Sequence, residues 1–145
     1  MNTTLQELNL CGNALIEGGG RAIAEGLHVN FTLTELNLYG NHLGEGGGRA
    51  IAEALRVNIT LKELDLGCNH LREGEGRAIA EALRVNNTLT KLNLGANERV
   101  CCFLGLDYHD EGGKWAIVFH GSRGVHTHTH THTHTHTHTH TRHCA

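Results

Sequence analysis

The sequence contains no proline, one methionine, one tryptophan and only 4% aromatic residues. With so few rings, any core must be built from aliphatic side chains. No apolar run approaches the ~18 residues that a membrane span requires. The polar N-terminal stretch lacks the charged-then-apolar layout of a secretory signal. Neither sign of charge is in marked excess, since 12 basic and 15 acidic residues leave a formal net charge of −3. A nucleic-acid-binding surface needs a basic excess, so that class gains no support. The five cysteines, Cys11, Cys68, Cys101, Cys102 and Cys144, are odd in number and scattered. They are not the even framework of a secreted disulfide scaffold. A reducing, cytoplasmic setting is the expectation. The 145 residues suffice for one small domain and fall short of two.

What the chain has in excess is order. Segment 2–29 recurs at 30–57 and 58–85, and a partial copy occupies 86–97. The second and third copies are identical at 21 of 28 positions. Each copy opens with leucines at fixed offsets, followed by an asparagine and a further leucine. These are Leu5, Leu8, Leu10, Asn13 and Leu15, then Leu33, Leu36, Leu38, Asn41 and Leu43, then Leu61, Leu64, Leu66, Asn69 and Leu71. Leu36 and Leu38 alternate with polar residues, the period of a short strand with one buried face. The second half changes period. Gly48, Ile51, Ala52 and Leu55 share one helical face, while Arg49, Glu53 and Arg56 fall off it. One strand–helix unit cannot bury its own apolar side, but stacked units can. The clusters Gly18–Gly20 and Gly46–Gly48 read as turn glycines, because no Lys-Ser/Thr follows to make a phosphate loop.

This pattern and its 28-residue period resemble leucine-rich repeats of the ribonuclease-inhibitor-like class, which also supplies the repeats of NOD-like receptors. The run from Gly48 through Leu61 is similar to the helix-to-strand half of that class. The resemblance covers 2–97. It implies an α/β leucine-rich-repeat solenoid, a horseshoe fragment with a parallel sheet on its concave side and helices on its convex side. The usual activity of the family is protein binding. A related repeat in Ran GTPase-activating proteins implies regulation of a small GTPase as an alternative. The chain starts at a repeat boundary without a recognisable cap, so it is expected to be a fragment of a longer array that self-associates through its ends.

After Asn97 the repeat fails. Segment 98–125 is irregular. The stretch 111–117 echoes helical residues 45–51, but needs a ten-residue insertion and has Gly121 where Leu55 would stand. Segment 126–145 holds nine of the 14 histidines, eight of them in perfect His-Thr alternation over 126–141. That alternation can be encoded by a CA dinucleotide tract, so residues beyond Asn97 are expected to be translated non-coding sequence with a disordered tail. A line of imidazoles invites weak binding of zinc, nickel or copper, which is a second alternative function. Nothing fixes a coordination number, so no specific metal site is assigned. Cys101, Cys102, His109 and His120 also lack zinc-site spacing.

Four further features bear on function. The column Asn13, Asn41, Asn69 and Asn97 is expected to be a structural ladder satisfying turn backbone. The Asn-x-Thr sequons at Asn2, Asn30, Asn58 and Asn86 fit loop hydrogen bonding better than glycosylation. No catalytic constellation and no cofactor site appear. The best candidate site is the concave face, where Glu7, Asn9, Glu35, Asn37, Tyr39, Glu63, Asp65, Lys91 and Asn93 point away from the core. Stacked strands lie about 4.8 Å apart, which would place Glu7, Glu35 and Glu63 in one column. Like charges set side by side destabilise, by up to ~1 kcal/mol per pair. Such a column suits a basic protein partner, with Tyr39 as an aromatic anchor.

Overall fold

The computed structural model describes residues 2–97, Val100 and the backbone of Ile117–Val118. Strand and helix alternate: β1 (Glu7–Asn9), α1 (Ile16–Val29), β2 (Glu35–Asn37), α2 (Gly44–Val57), β3 (Glu63–Asp65), α3 (Glu73–Leu83) and β4 (Lys91–Asn93), followed by the short β5 (Ile117–Val118). The first four strands are parallel and pair in sequence order, with a register shift of one whole repeat. Leu8 therefore faces Leu36, Leu36 faces Leu64, and Leu64 faces Leu92. The exact repeat makes this register natural, since a one-residue slip would turn every leucine to solvent.

β5 lies antiparallel on β4, with Lys91 opposite Val118 and Leu92 opposite Ile117. The helical echo at 111–117 therefore ends in a strand at Ile117. The rest of that echo, the pair Cys101–Cys102, His109, His120 and the His-Thr tract lie outside the described residues.

The core sits between sheet and helices. Leu33, Leu36, Leu38 and Leu43, with their copies in the third repeat, are buried. Ile51, Ala52 and Leu55 of α2 and Ile79 and Ala82 of α3 close over them. Arg49, Glu53 and Arg56 are exposed. Leu5 is 40% exposed where its copy Leu33 is 4% exposed. The difference follows from stacking: each repeat is covered by the one before it.

The glycine clusters are not turns. Gly18–Gly20 and Gly46–Gly48 lie inside α1 and α2. A Cβ added at Gly20 would stand 2.8 Å from Gly47 Cα, and one at Gly48 would stand 2.6 Å from Leu71 Cδ2. At Gly20 the backbone of the neighbouring helix takes the space a side chain would need, and at Gly48 the Leu71 and Glu75 side chains fill it. Left-handed backbone instead follows each strand, at Gly12 (φ 70°), Gly40 (φ 68°), Cys68 (φ 54°) and Ala96 (φ 54°), and recurs ahead of or at the helix starts, at Ala14, Ile16, His42, Gly44 and His70.

Candidate functional site: the concave strand face

Each of β1 to β4 is three residues long, so its central leucine points inward and its flanking residues point out. The parallel register sets Glu7 beside Glu35, Glu35 beside Glu63, and Glu63 beside Lys91. A second column runs Asn9, Asn37, Asp65, Asn93. These residues and the edges of the leucines between them line one continuous shallow depression.

The charge along this face is graded. Lys91 pairs with Glu63. The lysine is held above its ordinary value of 10.5, first by the hydrogen bond to the Glu63 carboxylate, then by that carboxylate's charge and more weakly by Glu35. Glu7 and Glu35 hold no ion pair among the described residues. The acidic character therefore concentrates toward β1 and β2.

The amide column is partly committed. Asn9 Oδ1 accepts from the Cys11 N–H at 3.0 Å, Asn37 from Tyr39 at 2.9 Å, Asp65 from Gly67 at 2.9 Å and Asn93 from Gly95 at 2.9 Å. Asn93 Nδ2 also donates to Asp65 Oδ1 at 3.0 Å. These side chains close the strand exits, and what they offer a partner is their remaining donors and lone pairs.

Tyr39 leans across the next repeat. A Cβ at Gly67 would come within 2.8 Å of Tyr39 Cδ2, so glycine there gives the ring its place. The phenol is raised above 10.0, chiefly by its electrostatic interaction with the neighbouring Cys68, then by desolvation, by a hydrogen bond to Cys68 and by Asp65. It remains protonated at physiological pH, able to donate. Tyr39 is 39% exposed, which leaves part of it open to contact.

Behind the face lie two amide ladders. In the first, Asn41 Oδ1 accepts the Asn13 N–H at 2.9 Å, Asn69 Oδ1 accepts that of Asn41 at 3.0 Å, and Asn97 Oδ1 accepts that of Asn69 at 2.9 Å. Their Nδ2 groups donate backward, Asn69 to Leu38 O at 2.8 Å and Asn97 to Leu66 O at 2.8 Å. The second ladder runs through the sequon asparagines. Asn58 Nδ2 donates to Leu27 O at 2.9 Å, and Asn86 Nδ2 to Leu55 O at 2.7 Å. Asn58 is 1% exposed, so its amide is spent in the fold and is no acceptor for a glycan. That this column also links repeats was not read from the sequence; its signal was the in-phase recurrence of Asn30, Asn58 and Asn86.

Two other groupings went unread. His42 and His70, one repeat apart, lie nearly parallel with ring centroids 4.9 Å apart, and His70 Nε2 meets His42 Nδ1 at 2.8 Å. Glu75, 2% exposed, accepts the Arg72 N–H at 3.0 Å and faces Arg49 Nε at 3.4 Å. Among the described residues no three histidine, cysteine or acidic side chains gather to hold a metal ion. Among the same residues no helix is long and apolar enough to cross a membrane.

Comparison with known proteins agrees with this geometry. The leucine-rich-repeat family pattern matches residues 2–24, 29–52 and 57–74, in phase with the repeats. No curated protein matches the chain at a significant level. The solved structure of Leiomodin-1 Actin-Binding Site 2 (ABS2) is similar, with a TM-score of 0.59 and 28% sequence identity, over 65% of this chain and 53% of that one. The chain thus spans about half the length of that relative. The chain carries leucine-rich repeats, stacked as a leucine-rich-repeat solenoid.

Proposed function

We propose that this chain is a non-catalytic protein-interaction module whose partner docks along the concave strand face and presents basic groups to it. The observation that carries the reading is the in-register column Glu7, Glu35, Glu63, in which Lys91 offsets only the last member. A column of like charges works against stacking, and a cationic partner would reverse that cost. Tyr39, packed against Gly67 and partly exposed, lies outside the lining of the depression and suits an aromatic anchor at its rim. The similar leiomodin structure is an actin-binding site, which supports a protein rather than a small molecule as the ligand. Within the leucine-rich repeats, the 28-residue period and the full helix in each of the first two units favour the ribonuclease-inhibitor-like class. The reading extends to self-association through the solenoid ends, where Leu5 and Ile16 are exposed. Nothing among the described residues argues for GTPase regulation or for metal binding.

Site-specific photo-crosslinking in cells tests the site. A photoreactive residue in place of Tyr39 should trap a protein partner, and Glu7→Lys with Glu35→Lys should abolish the product. Crosslinks formed only from the convex side, for instance at Arg21, would overturn the assignment of the face.

A further inference from the structure

The two ends of the sheet are finished differently. At the β4 end both layers are covered. β5 lies antiparallel on β4, and the buried Val100 fills the flank of α3, where a Cβ on Gly76 would stand 3.1 Å from Val100 Cγ1. Gly20 and Gly48 hold the same position one and two repeats earlier, and there the next repeat takes that space. A second copy therefore cannot add a repeat directly onto β4. The edge that β5 offers is two residues long, the blunted kind that directs little pairing.

At the β1 end neither layer is covered among the described residues. Leu8 is only partly buried, whereas its copies Leu36, Leu64 and Leu92 are buried. Gln6 O accepts the N–H groups of Thr34 and Glu35 at 2.8 and 3.0 Å, and the Leu10 N–H donates to Asn37 O at 2.9 Å. Main-chain groups alternate along a strand, so those of Glu7 and Asn9 point to the open edge. Behind the edge, α1 presents small residues. In α2 the flank turned toward α1 carries Gly47 and, two turns on, Ala54, both buried. The matching residues of α1 are Gly19 and Gly26. Gly26 is exposed, a Cβ there would meet nothing within 4 Å, and the other two repeats have Ala54 and Ala82 in its place. Glycine inside a helix costs stability relative to alanine, and nothing among the described residues requires this one.

We infer that the chain forms a closed two-fold dimer in which β1 pairs antiparallel with β1 of a second copy, centred on Leu8. This rests on the self-association proposed above and fixes its face and symmetry. Centring on Leu8 engages all three strand residues. Leu8 meets Leu8, and Glu7 exchanges both main-chain hydrogen bonds with Asn9 of the second copy. Centring on Glu7 would instead set carboxylate against carboxylate. The two-fold brings the two α1 helices side by side, where Gly19, Ala22 and Gly26 let them approach. An interface made from the same patch on both copies closes on itself and recruits no third chain.

Sedimentation equilibrium of the full chain, reduced and with a chelator present, tests the pairing. The mass should rise with concentration from one chain to two and stop there. Asn9→Asp keeps an oxygen for the Cys11 N–H, as Asp65 does for that of Gly67, but sets an acid opposite each Glu7. Its two like-charge pairs should weaken the dimer by about 10-fold. Adding Glu7→Lys to Asn9→Asp makes both pairs opposite in charge and should restore the parent affinity. Gly26→Leu should weaken the dimer while raising the melting temperature of the monomer. Assemblies beyond two chains, a dimer unmoved by Asn9→Asp or by Gly26→Leu, or a loss that Glu7→Lys does not rescue overturns this pairing alone. A monomer at every concentration overturns it together with self-association through the solenoid ends. Crosslinking from Tyr39 reports the concave-face partner separately from both.

Discussion

At the scale of single residues, the asparagines carry more of the fold than any other polar group. Asn69 is buried, accepts the N–H of Asn41 and donates to Leu38 O and Gly67 O at 2.8 and 3.0 Å. Asn69→Ala should orphan those backbone groups at about 1–3 kcal/mol each. Urea unfolding checks this, and a loss under about 1 kcal/mol would mean that water replaces the amide. Gly67 is a second decisive position. Gly67→Val should push the Tyr39 ring off its neighbour, visible as a change in the Tyr39 ring and Asn93 amide signals by NMR, while unmoved signals would refute the packing. The Lys91–Glu63 pair sets a pH dependence. A lysine raised above 10.5 contributes its stability in full below that value and loses it as the pH climbs through the folded-state value. The pair is exposed, so the effect is small. The difference in melting temperature between the parent and Lys91→Met should therefore shrink at alkaline pH; a difference that grows there contradicts the pairing.

At the scale of elements, helix position was legible and helix beginnings were not. The i, i+3, i+4, i+7 pattern of Gly48, Ile51, Ala52 and Leu55 marks the buried face of α2, and all four are buried. The glycine clusters misled because glycine has two uses that look alike in sequence, turning the chain and letting two backbones approach. Only the neighbouring helix distinguishes them. Gly20→Val should collide with Gly47 and cost about 1–3 kcal/mol, as overpacking does. The opposite outcome is expected at Ile16, which opens α1 with φ 51° where α2 has Gly44 with φ 59°. A β-branched residue is strained there by roughly 1–2 kcal/mol, and Ile16 is mostly exposed, so Ile16→Gly should raise stability by about 1 kcal/mol. Denaturant titration of both variants checks the two signs together.

At the scale of the molecule, stability is a sum of interfaces between like units. Each repeat is joined to the next by a strand pairing and two amides, so no repeat is complete alone. Coupling of this kind makes unfolding propagate along the array rather than stay local. The open side of β1, with Leu8 and Leu10 only half covered, is where a second copy would continue the stack. Sedimentation at rising protein concentration should therefore show mass above the monomer; a single monomeric species throughout would sink self-association by this route.

The sequence alone determined the repeat, its period, the strand–helix alternation and the parallel register, because a periodic chain that buries one leucine column has one way to stack. It also placed Glu7, Glu35 and Glu63 in line, since register follows from period. Tertiary structure decided what neighbours do to one another. It seated Lys91 on Glu63, laid Tyr39 over Gly67, drew Gly20 against Gly47 and turned the sequon asparagines inward, leaving Val57 and Ile59 outside. Those outcomes depend on distances between repeats, and no spacing along one chain encodes a distance across two.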